Sequence, residues 1–569
     1  MSLQALVDNL SADTLASLER FVPELILCAT IVVLLLARLF RWSAKIDPFW
    51  LALIGSLAAF WYALPEGGVQ ELGGVARQEI FTGMLVYDSM TVFFRMFLLA
   101  FAFWFVILVR MTGLADAEDG QDFYSLLLGA TLGMCLMASA NHLMTVFLAV
   151  EMASVPSYVM AGIIKGRRRA SEAALKYAVY GAGAAGVMLY GISLLAGLLN
   201  TAHLPTIATR LAALNIPMLV ESGENWGTLM VLALSALMIM VGLAFKLSAV
   251  PFHFWCPDVF EGASAEVDAF LSVASKAAAM ALLVRVALGV SAVSAPAAPS
   301  AAQIRVPAQM VAFQQSPPGE AASAAGTTAN TASDADAQLT PVRTFIVRLL
   351  AVIAAITCTF GNLVAYGQTN MKRLLAYSTI AHAGYMIMAV AAAVQLAGTD
   401  AGGAREAVAA LLLYLILYVF MNLGAFAIVA FLRSSIRSEE IADYAGLVRS
   451  TPVTAVALTA ILVSLIGLPP LAGFVGKFVI FRILVVAGGP WMIGLLVIAG
   501  LNTAISLVYY LRVAKTVCID PEPDTRGPVS IGLLPAAYVF VVALPVLYFG
   551  IMWTPVLDIA NQAAKQLLM

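Results

Sequence analysis

Long apolar segments recur along the chain, and they constrain its fold more than any other feature of the sequence. A transmembrane helix needs about 20 apolar residues to cross a bilayer. Of all residues, 62% are hydrophobic and 11% are charged, against roughly 25% charged in soluble domains. We therefore expect an all-α polytopic membrane protein. About fourteen spans are predicted, with centres within residues 21–40, 48–64, 84–109, 123–140, 143–163, 173–199, 226–248, 266–292, 343–365, 373–396, 404–432, 453–484, 489–513 and 531–552.

Basic residues are distributed unevenly between the two sets of alternating loops, which predicts the orientation of the chain. Cytoplasmic loops of membrane proteins carry an excess of Lys and Arg. The start of the chain lacks a basic region and a cleavage site, so the first span is predicted to be uncleaved. Both termini are then external. The basic loops contain Arg38, Arg41, Lys45, Lys165, Arg167, Arg168, Arg169, Lys372, Arg373, Arg433, Arg437, Arg449, Arg512, Lys515 and Arg526; the other loops contain only Arg20, Arg77, Arg210, Arg305, Arg343, Arg405 and Lys565.

Four charged residues fall deep within predicted spans. Lys246 and Lys276 flank a Pro-broken polar turn in the stretch 241–276, and Lys477 follows a second break at Pro469-Pro470. Glu151 lies midway along an apolar run. Ionisable residues inside a membrane are costly and often functional. A lone buried lysine is more often a static ion pair or a packing residue, but this series favours a path for charge.

Proton transfer is the chemistry that such a series allows. The reference pKa of lysine is near 10.4; burial lowers it and a neighbouring carboxylate raises it again. Reprotonating or moving Glu151 would therefore switch a lysine between holding and releasing a proton. Helix breaks admit water between the charged groups. Lys176 lies nearer the cytoplasmic end, where snorkelling to the membrane surface is the simpler interpretation.

Other classes of function leave no signature in this sequence. The five cysteines are scattered without a CxxC pair, and the four histidines are dispersed, so we expect no metal site. No phosphate loop or dinucleotide-binding glycine motif is present. The net charge of -2 gives no indication of nucleic-acid binding. Three polar stretches interrupt the spans: 65–83 is predicted as a loop with a hairpin, 200–225 as an exposed loop, and 293–342 as a low-complexity external loop.

Several motifs together resemble the antiporter-like membrane subunits of respiratory complex I, the proton-translocating NADH:quinone oxidoreductase. They are GLAFKLSAVPFHFWCPDVFEG, VFLAVEMASVPSYVMAG, RRRASEAALKYAVYGAGAAG, GNLVAYGQTNMKRLLAYSTIAHAGYM and GLPPLAGFVGKFVIFRILV. The match covers most of 120–290 and 345–485. The FKLSxVPFHxWxPDVxEG form, and lysine at Lys477, favour the subunit N branch, the counterpart of mitochondrial subunit 2.

The resemblance implies an architecture and a set of roles. Two inverted five-helix repeats are expected, with broken helices at spans 7 and 12. By position, Glu151 pairs with Lys246, Lys276 is the central lysine, Lys477 is the exit-side lysine, and Lys176 lies near the cytoplasmic opening. The expected parts are 1–122 with spans 1–3, 123–292 as the first repeat with spans 4–8, 293–342 as a loop, 343–515 as the second repeat with spans 9–13, and 516–569 with span 14.

The resemblance also implies partners. They are the antiporter-like subunits M and L and the small subunits K and J in the inner membrane of a bacterial cell. FMN, iron–sulfur clusters and quinone would belong to partner subunits, and this chain would bind no cofactor. Three departures stand out: Cys256 replaces a usual Thr, Ser264 a usual Pro, and Glu266 with Asp268 adds carboxylates that we expect near the cytoplasmic mouth.

Two alternative functions remain open at this level. A subunit of a multi-subunit cation/proton antiporter would share the core motifs but belong to a complex without redox partners. A structural membrane subunit would use its buried charges only to hold helices together.

Overall fold

The fold is described from a computed structural model, which covers residues 3–37, 47–115, 119–222, 225–293, 337–524, 526–527 and 529–567. Most of the predicted loop 293–342 and the basic residues Arg38, Arg41 and Lys45 lie outside this part of the chain.

The first half of the chain forms thirteen helices and one small hairpin in the described part. Their bounds are α1 Leu3–Arg20, α2 Val22–Ala37, α3 Pro48–Ala63, β1 Gln78–Ile80, β2 Leu85–Tyr87, α4 Ser89–Thr112, α5 Gly120–Ser139, α6 Leu143–Ala161, α7 Arg168–Leu199, α8 Leu204–Ala213, α9 Ile216–Ser222, α10 Trp226–Leu247, α11 Trp255–Gly262, α12 Ala265–Phe270 and α13 Lys276–Ser291.

The second half is also helical. Its bounds are α14 Thr340–Ala365, α15 Met371–Leu396, α16 Ala401–Ile436, α17 Leu447–Ser450, α18 Pro452–Ile466, α19 Ala472–Ala487, α20 Gly489–Cys518, α21 Leu533–Ile551 and α22 Thr554–Ala564. Short 3₁₀ helices cover Val69–Gly74 and Ile441–Tyr444, and a π turn at Leu271–Ser275 joins α12 to α13.

The helices confirm an all-α polytopic membrane protein. Eleven helices in the described residues are long and apolar enough to cross a membrane, or up to 12 if the bent pair Leu10–Arg20 and Val22–Ala37 is one span. Pro48–Ala63 and Pro452–Ile466 are apolar but shorter. The count of about fourteen therefore stays a prediction.

Two apolar helices are interrupted where the sequence predicted breaks. The first interruption follows α10 at Ser248, whose φ of 56° is left-handed, and Pro251 then lacks the amide needed to continue a helix. The second follows α18 at Gly467, with φ of 91°, before the pair Pro469-Pro470. Glycine adopts this left-handed geometry without steric cost. Each break leaves main-chain carbonyls without helical partners inside the bundle.

The most buried helices lie at the centre and carry the predicted site. The buried share of the most apolar window is 94% for α15, 89% for α12–α13 and 83% for α16, but 28% for α20 and 22% for α21. Buried polar residues on the central helices therefore contact protein, whereas α20 and α21 present apolar surface to the outside.

The predicted external loops have mixed outcomes. A hairpin is confirmed: β1 and β2 pair antiparallel, with Glu79 opposite Val86. The prediction of an exposed loop at 200–225 is wrong for much of this stretch, because α8 and α9 form there and α8 is partly buried. Helix α8 buries Leu204, Ile207 and Leu211 at three- and four-residue spacing, which is the pattern of an amphipathic helix lying against the bundle.

Candidate functional site

Lys246 lies in the last turn of α10, immediately before the first break. Its side chain is 2% exposed, and its Nζ donates a hydrogen bond of 2.9 Å to Ser154 Oγ on α6. Trp255 closes the break from the other side, because its indole N–H donates to the Phe245 carbonyl at 3.1 Å. The break is thus packed by aromatic side chains, while Lys246 is directed to α6.

Glu151 lies on the same face of α6 as Ser154, one turn earlier, since residues three apart are neighbours on a helix. The carboxylate is partly buried, and its Oε1 has no hydrogen-bond partner in the described part of the chain. Glu151 and Lys246 interact electrostatically, but no direct ion pair joins these two described residues. Ser154 therefore lies at the junction between the two charges, where a small shift of either would change their contact.

Lys276 begins α13 directly after the π turn, at the centre of the bundle. It is 2% exposed, and its Nζ has no hydrogen-bond partner among the described residues. Cys256 interacts electrostatically with Lys276. π turns often mark functional positions because they widen the helix. The Lys276 Nζ is therefore open to a hydrogen bond with water or with another proton-exchanging group.

Lys477 reaches back from α19 to the end of α18. Its Nζ donates to the carbonyls of Leu465 at 3.1 Å and Ile466 at 2.8 Å, and it lies 4.6 Å from the centre of the Tyr385 ring. Cations are stabilised at the carbonyl end of a helix and over aromatic faces. The break supplies the acceptors that hold this lysine.

His382 lies between the central and second-half lysines. It interacts electrostatically with both Lys276 and Lys477. Its Nδ1 is 2.5 Å from the Tyr414 hydroxyl, and its Nε2 is 3.4 Å from the Tyr510 hydroxyl. Ser378 hydrogen-bonds the same Tyr510 hydroxyl. These hydrogen bonds join α15, α16 and α20 in one buried cluster, and neither lysine donates a hydrogen bond to it in the described part of the chain.

Lys176 lies apart from these buried groups, at the end of the bundle predicted to be cytoplasmic. It is a third exposed and forms ion pairs with Asp258 at 2.7 Å and Glu172 at 2.9 Å. Arg373 on α15 contacts Asp258 at 3.1 Å and Glu261 at 2.6 Å. This cluster ties α7, α11 and α15 together at the surface above Lys246.

Several residues of the candidate site were not identified from the sequence. Ser154 was not singled out, although its position three residues after Glu151 could have indicated it. Asp258, Glu261 and Arg373 were quoted only within motifs or loops, because their ion pairs join segments far apart in sequence.

Two further intramembrane charges belong to structural ion pairs. Asp88 pairs with Arg285 at 2.5 Å, and Arg285 also donates to the Ala138 carbonyl. Arg95 pairs with Glu24 at 2.6 Å. Asp88 and Arg95 are thus each paired with a residue of another helix.

No metal centre is evident in the described residues, where no group of three or more His, Cys, Asp or Glu side chains could hold an ion. The five cysteines are free thiols. The absence of a cofactor from this chain stays a prediction.

Comparison with known proteins identifies the family of this chain. Residues 140–303 and 322–503 match the family described as NADH:quinone oxidoreductase/Mrp antiporter, transmembrane. The chain belongs to this family. Both breaks, Glu151 and the three buried lysines fall within the matched ranges.

Relatives in this family match nearly the full chain. NADH-quinone oxidoreductase subunit N of Anaeromyxobacter sp. (strain Fw109-5) is 38% identical over 551 residues, covering 95% of this chain and 96% of the relative. Subunit N 2 of Chloroherpeton thalassium is 34% identical, covering 96% and 94%.

Solved structures match the fold. A chain of respiratory complex I from Thermus thermophilus, determined with bound aureothin, aligns with a TM-score of 0.66 at 29% identity, covering 94% of this chain and 98% of that chain. A chain of the Mrp complex from Dietzia sp. DQ12-45-1b aligns at 0.71 with 17% identity, covering 98% of each; this second likeness concerns the fold alone.

Proposed function

We propose that this chain is the proton-translocating subunit N of a bacterial NADH:quinone oxidoreductase. The observation that carries the proposal is the series of buried lysines Lys246, Lys276 and Lys477, each beside a discontinuity of a helix. Relatives named as subunit N of that enzyme at 34–38% identity support it. Electron transfer from NADH to quinone in partner subunits would supply the driving force.

The finer architecture is part of this proposal. The chain has fourteen spans, with inverted five-helix repeats at 123–292 and 343–515 and broken helices at spans 7 and 12. Close helix pairs support the repeat: a Cβ on Gly133 of α5 would lie 2.6 Å from Ala153 N on α6, and one on Gly361 of α14 would lie 2.7 Å from Ala381 N on α15. Glycine allows the same close approach in both repeats.

The cytoplasmic side is assigned to the end that bears the Lys176 cluster, and both termini then face the periplasm. Arg169, Lys372 and Arg373 gather at that end through ion pairs with Glu261 and Glu439. Cytoplasmic ends of membrane proteins are rich in Lys and Arg, which supports this orientation. The inner membrane of a bacterial cell is the matching location.

The mechanism follows from the contacts. A carboxylate nearby favours the ammonium form of lysine, so withdrawing the charge of Glu151 lets Lys246 release a proton and returning it lets Lys246 bind one. Lys276 holds the proton at the centre, and His382 with its tyrosine partners relays it toward Lys477. Lys477 releases it to the external side. Lys176 acts at the cytoplasmic opening.

The partners are proposed to be the antiporter-like subunits M and L and the small subunits K and J, within the lipid bilayer. FMN, iron–sulfur clusters and quinone are assigned to other subunits of the complex. The alternative is a multi-subunit cation/proton antiporter, because the description of the matching family names both the oxidoreductase and the Mrp antiporter. Purification of the native complex decides between them: iron–sulfur subunits accompany the chain in the proposed function and are absent in the alternative.

A substitution at the central lysine tests the pumping role. In assembled complex reconstituted in vesicles, Lys276→Ala should abolish NADH-driven proton uptake through this subunit while assembly stays at the wild-type level. Lys276→Arg should not rescue it, because guanidinium stays protonated. Full pumping by either variant would leave only a structural role for the buried charges.

A further inference from the structure

Two carboxylates in the first turn of α12 are buried, and no group donates a hydrogen bond to them among the described residues. Glu266 and Asp268 are each 0% exposed, and all four of their carboxylate oxygens lack a hydrogen-bond partner among the described residues. An ionised carboxylate in such a place is strongly disfavoured unless it is paired and hydrogen-bonded. These residues are not among the groups that the proposed mechanism uses.

The nearest cation does not supply a hydrogen bond to Asp268. Lys372 acts on Asp268 electrostatically, but its Nζ already contacts Glu439 Oε1 at 2.8 Å and the carbonyls of Ala263 at 2.7 Å and Glu261 at 3.1 Å. An ammonium group has three hydrogens, and these contacts use all of them. The Asp268 carboxyl group therefore has to carry its own proton or attract a water molecule.

The local charge balance also favours a bound proton. Carboxylates at Glu266, Asp268 and Glu439 face the cations Lys372 and Arg433, and Arg433 is 3.6 Å from Glu266. Three carboxylates thus face two cations, which leaves one carboxylate without a balancing charge. Helix α4 adds no charge here, because it presents phenylalanines 101 and 105 to the ring of Phe270 on α12.

The position of Asp268 connects it to the central lysine. Asp268, Ser272 and Lys276 follow one another at intervals of four residues. An α-helical rise of about 1.5 Å per residue would place Asp268 about 12 Å from Lys276 along the axis, and the π turn between them shortens this separation. Ser272 lies in the π turn between them, and its hydroxyl donates to the Ala269 carbonyl at 3.0 Å. Its oxygen is left to accept a hydrogen bond. All three residues are buried.

We propose that Asp268, supported by Glu266, is a proton-binding site on the cytoplasmic side of Lys276. The Asp268 carboxyl O–H bond breaks, and its proton passes by way of Ser272 and water to the neutral amine of Lys276. The products are a carboxylate and an ammonium ion. A proton from cytoplasmic water then restores the carboxylic acid, so no oxidant or other co-reactant is needed. This site rests on the proposed function, in which Lys276 receives the proton.

The test uses the assembled complex in vesicles, with NADH-driven proton uptake as the first readout. Asp268→Asn keeps the size of the side chain but binds no proton, and proton uptake should fall about tenfold. This is below the usual 100-fold or larger loss for a proton-transfer group, because Glu266 remains. Asp268→Glu should restore most of the rate. The matched control is Glu406→Gln, which neutralises an exposed carboxylate paired with Arg482 and should leave uptake unchanged.

Infrared spectroscopy of the same complexes supplies a readout that a merely structural role would not move. The wild type should show a carboxylic-acid band that is lost in Asp268→Asn and kept in Glu406→Gln. If Asp268→Asn assembles poorly, Asp268→Glu replaces it and should shift the band. Wild-type proton uptake in Asp268→Asn, or a spectrum unchanged by either substitution at Asp268, overturns the inference.

The two proposals fail separately. If Lys276→Ala abolishes proton uptake while Asp268→Asn leaves it at the wild-type rate, the site at Asp268 is refuted and the proposed function stands. If Lys276→Ala pumps at the wild-type rate, the proposed function itself is refuted and the site at Asp268 falls with it.

Discussion

The two helix breaks hold their lysines in different ways. At the first break, Lys246 precedes the interruption and donates one hydrogen bond to the Ser154 hydroxyl, with Glu151 acting on it from the same face of α6. At the second break, Lys477 follows the interruption and donates to two main-chain carbonyls. Among the described residues no carboxylate forms an ion pair with Lys477.

The charge near Lys246 can change, whereas the groups that hold Lys477 keep the same charge. Main-chain carbonyls keep their partial charge under all conditions, so the environment of Lys477 is constant unless the helices move. The charge near Lys246 is a carboxylate that can be protonated or displaced. In the proposed function, the first break controls when a proton is released and the second provides the exit.

Among substitutions at Lys477, Glu151, Ser154 and Glu79, the largest effect is expected from Lys477→Met. The change removes the protonatable amine at the second break and leaves the carbonyls of Leu465 and Ile466 without the lysine as a donor, and each such buried group costs about 1–3 kcal/mol. Coupled NADH oxidation should fall about 100-fold with a lower melting temperature of the complex. An active complex with unchanged stability would show that the second break is not an exit.

Glu151→Gln should have a smaller effect, which is confined to the control of proton release from Lys246. Lys246 keeps its hydrogen bond to Ser154, but the removable charge is gone. Coupled activity should fall about tenfold, and its pH dependence should change, while thermal stability stays near the wild-type value. Proton uptake in vesicles should be measured against pH for wild type and variant. Equal pH profiles would contradict the role of the Glu151 charge at the first break.

Ser154→Ala sharpens the comparison further. It removes one hydroxyl acceptor of Lys246 and leaves both charges in place, and a hydrogen bond to a charged group contributes about 1.5–3 kcal/mol. We expect a loss of coupled activity smaller than that of Glu151→Gln, with Ser154→Thr as the variant that retains the hydroxyl. If Ser154→Ala loses more coupled activity than Glu151→Gln, the Ser154 hydroxyl and not the Glu151 carboxylate controls proton release from Lys246.

The smallest effect is expected outside both breaks, at Glu79 in the β1–β2 hairpin. Burial raises the pKa of Glu79, but hydrogen bonds from His203 and Asn141 outweigh it, and the pKa is lowered. Because the pKa of Glu79 is lower in the folded state, its carboxylate stabilises the folded protein at pH values above the unfolded-state pKa. This stabilisation is lost as the pH falls through the folded-state pKa.

Glu79→Gln should accordingly lower stability by about 1 kcal/mol at neutral pH and leave proton uptake unchanged. The difference in melting temperature from the wild type should vanish in acid. A difference that persists in acid would show that the carboxylate charge is not the cause.

The sequence was sufficient for the fold class and for the positions of both breaks, because apolar length, proline and glycine act locally. It was also sufficient to select Glu151 and the buried lysines, since charge within an apolar run is visible without structure. It could not give the acceptors of Lys477 or the role of Ser154, because these contacts depend on how helices pack. The helices at 200–225 were missed because their apolar residues face the bundle and are interrupted by polar ones.

The most direct test of the central claim is NADH-driven proton uptake by vesicles that contain the assembled complex with Lys246→Ala. The account predicts loss of this uptake at wild-type levels of assembly, because no group then responds to Glu151 at the first break. Full proton uptake by the assembled Lys246→Ala complex would contradict it.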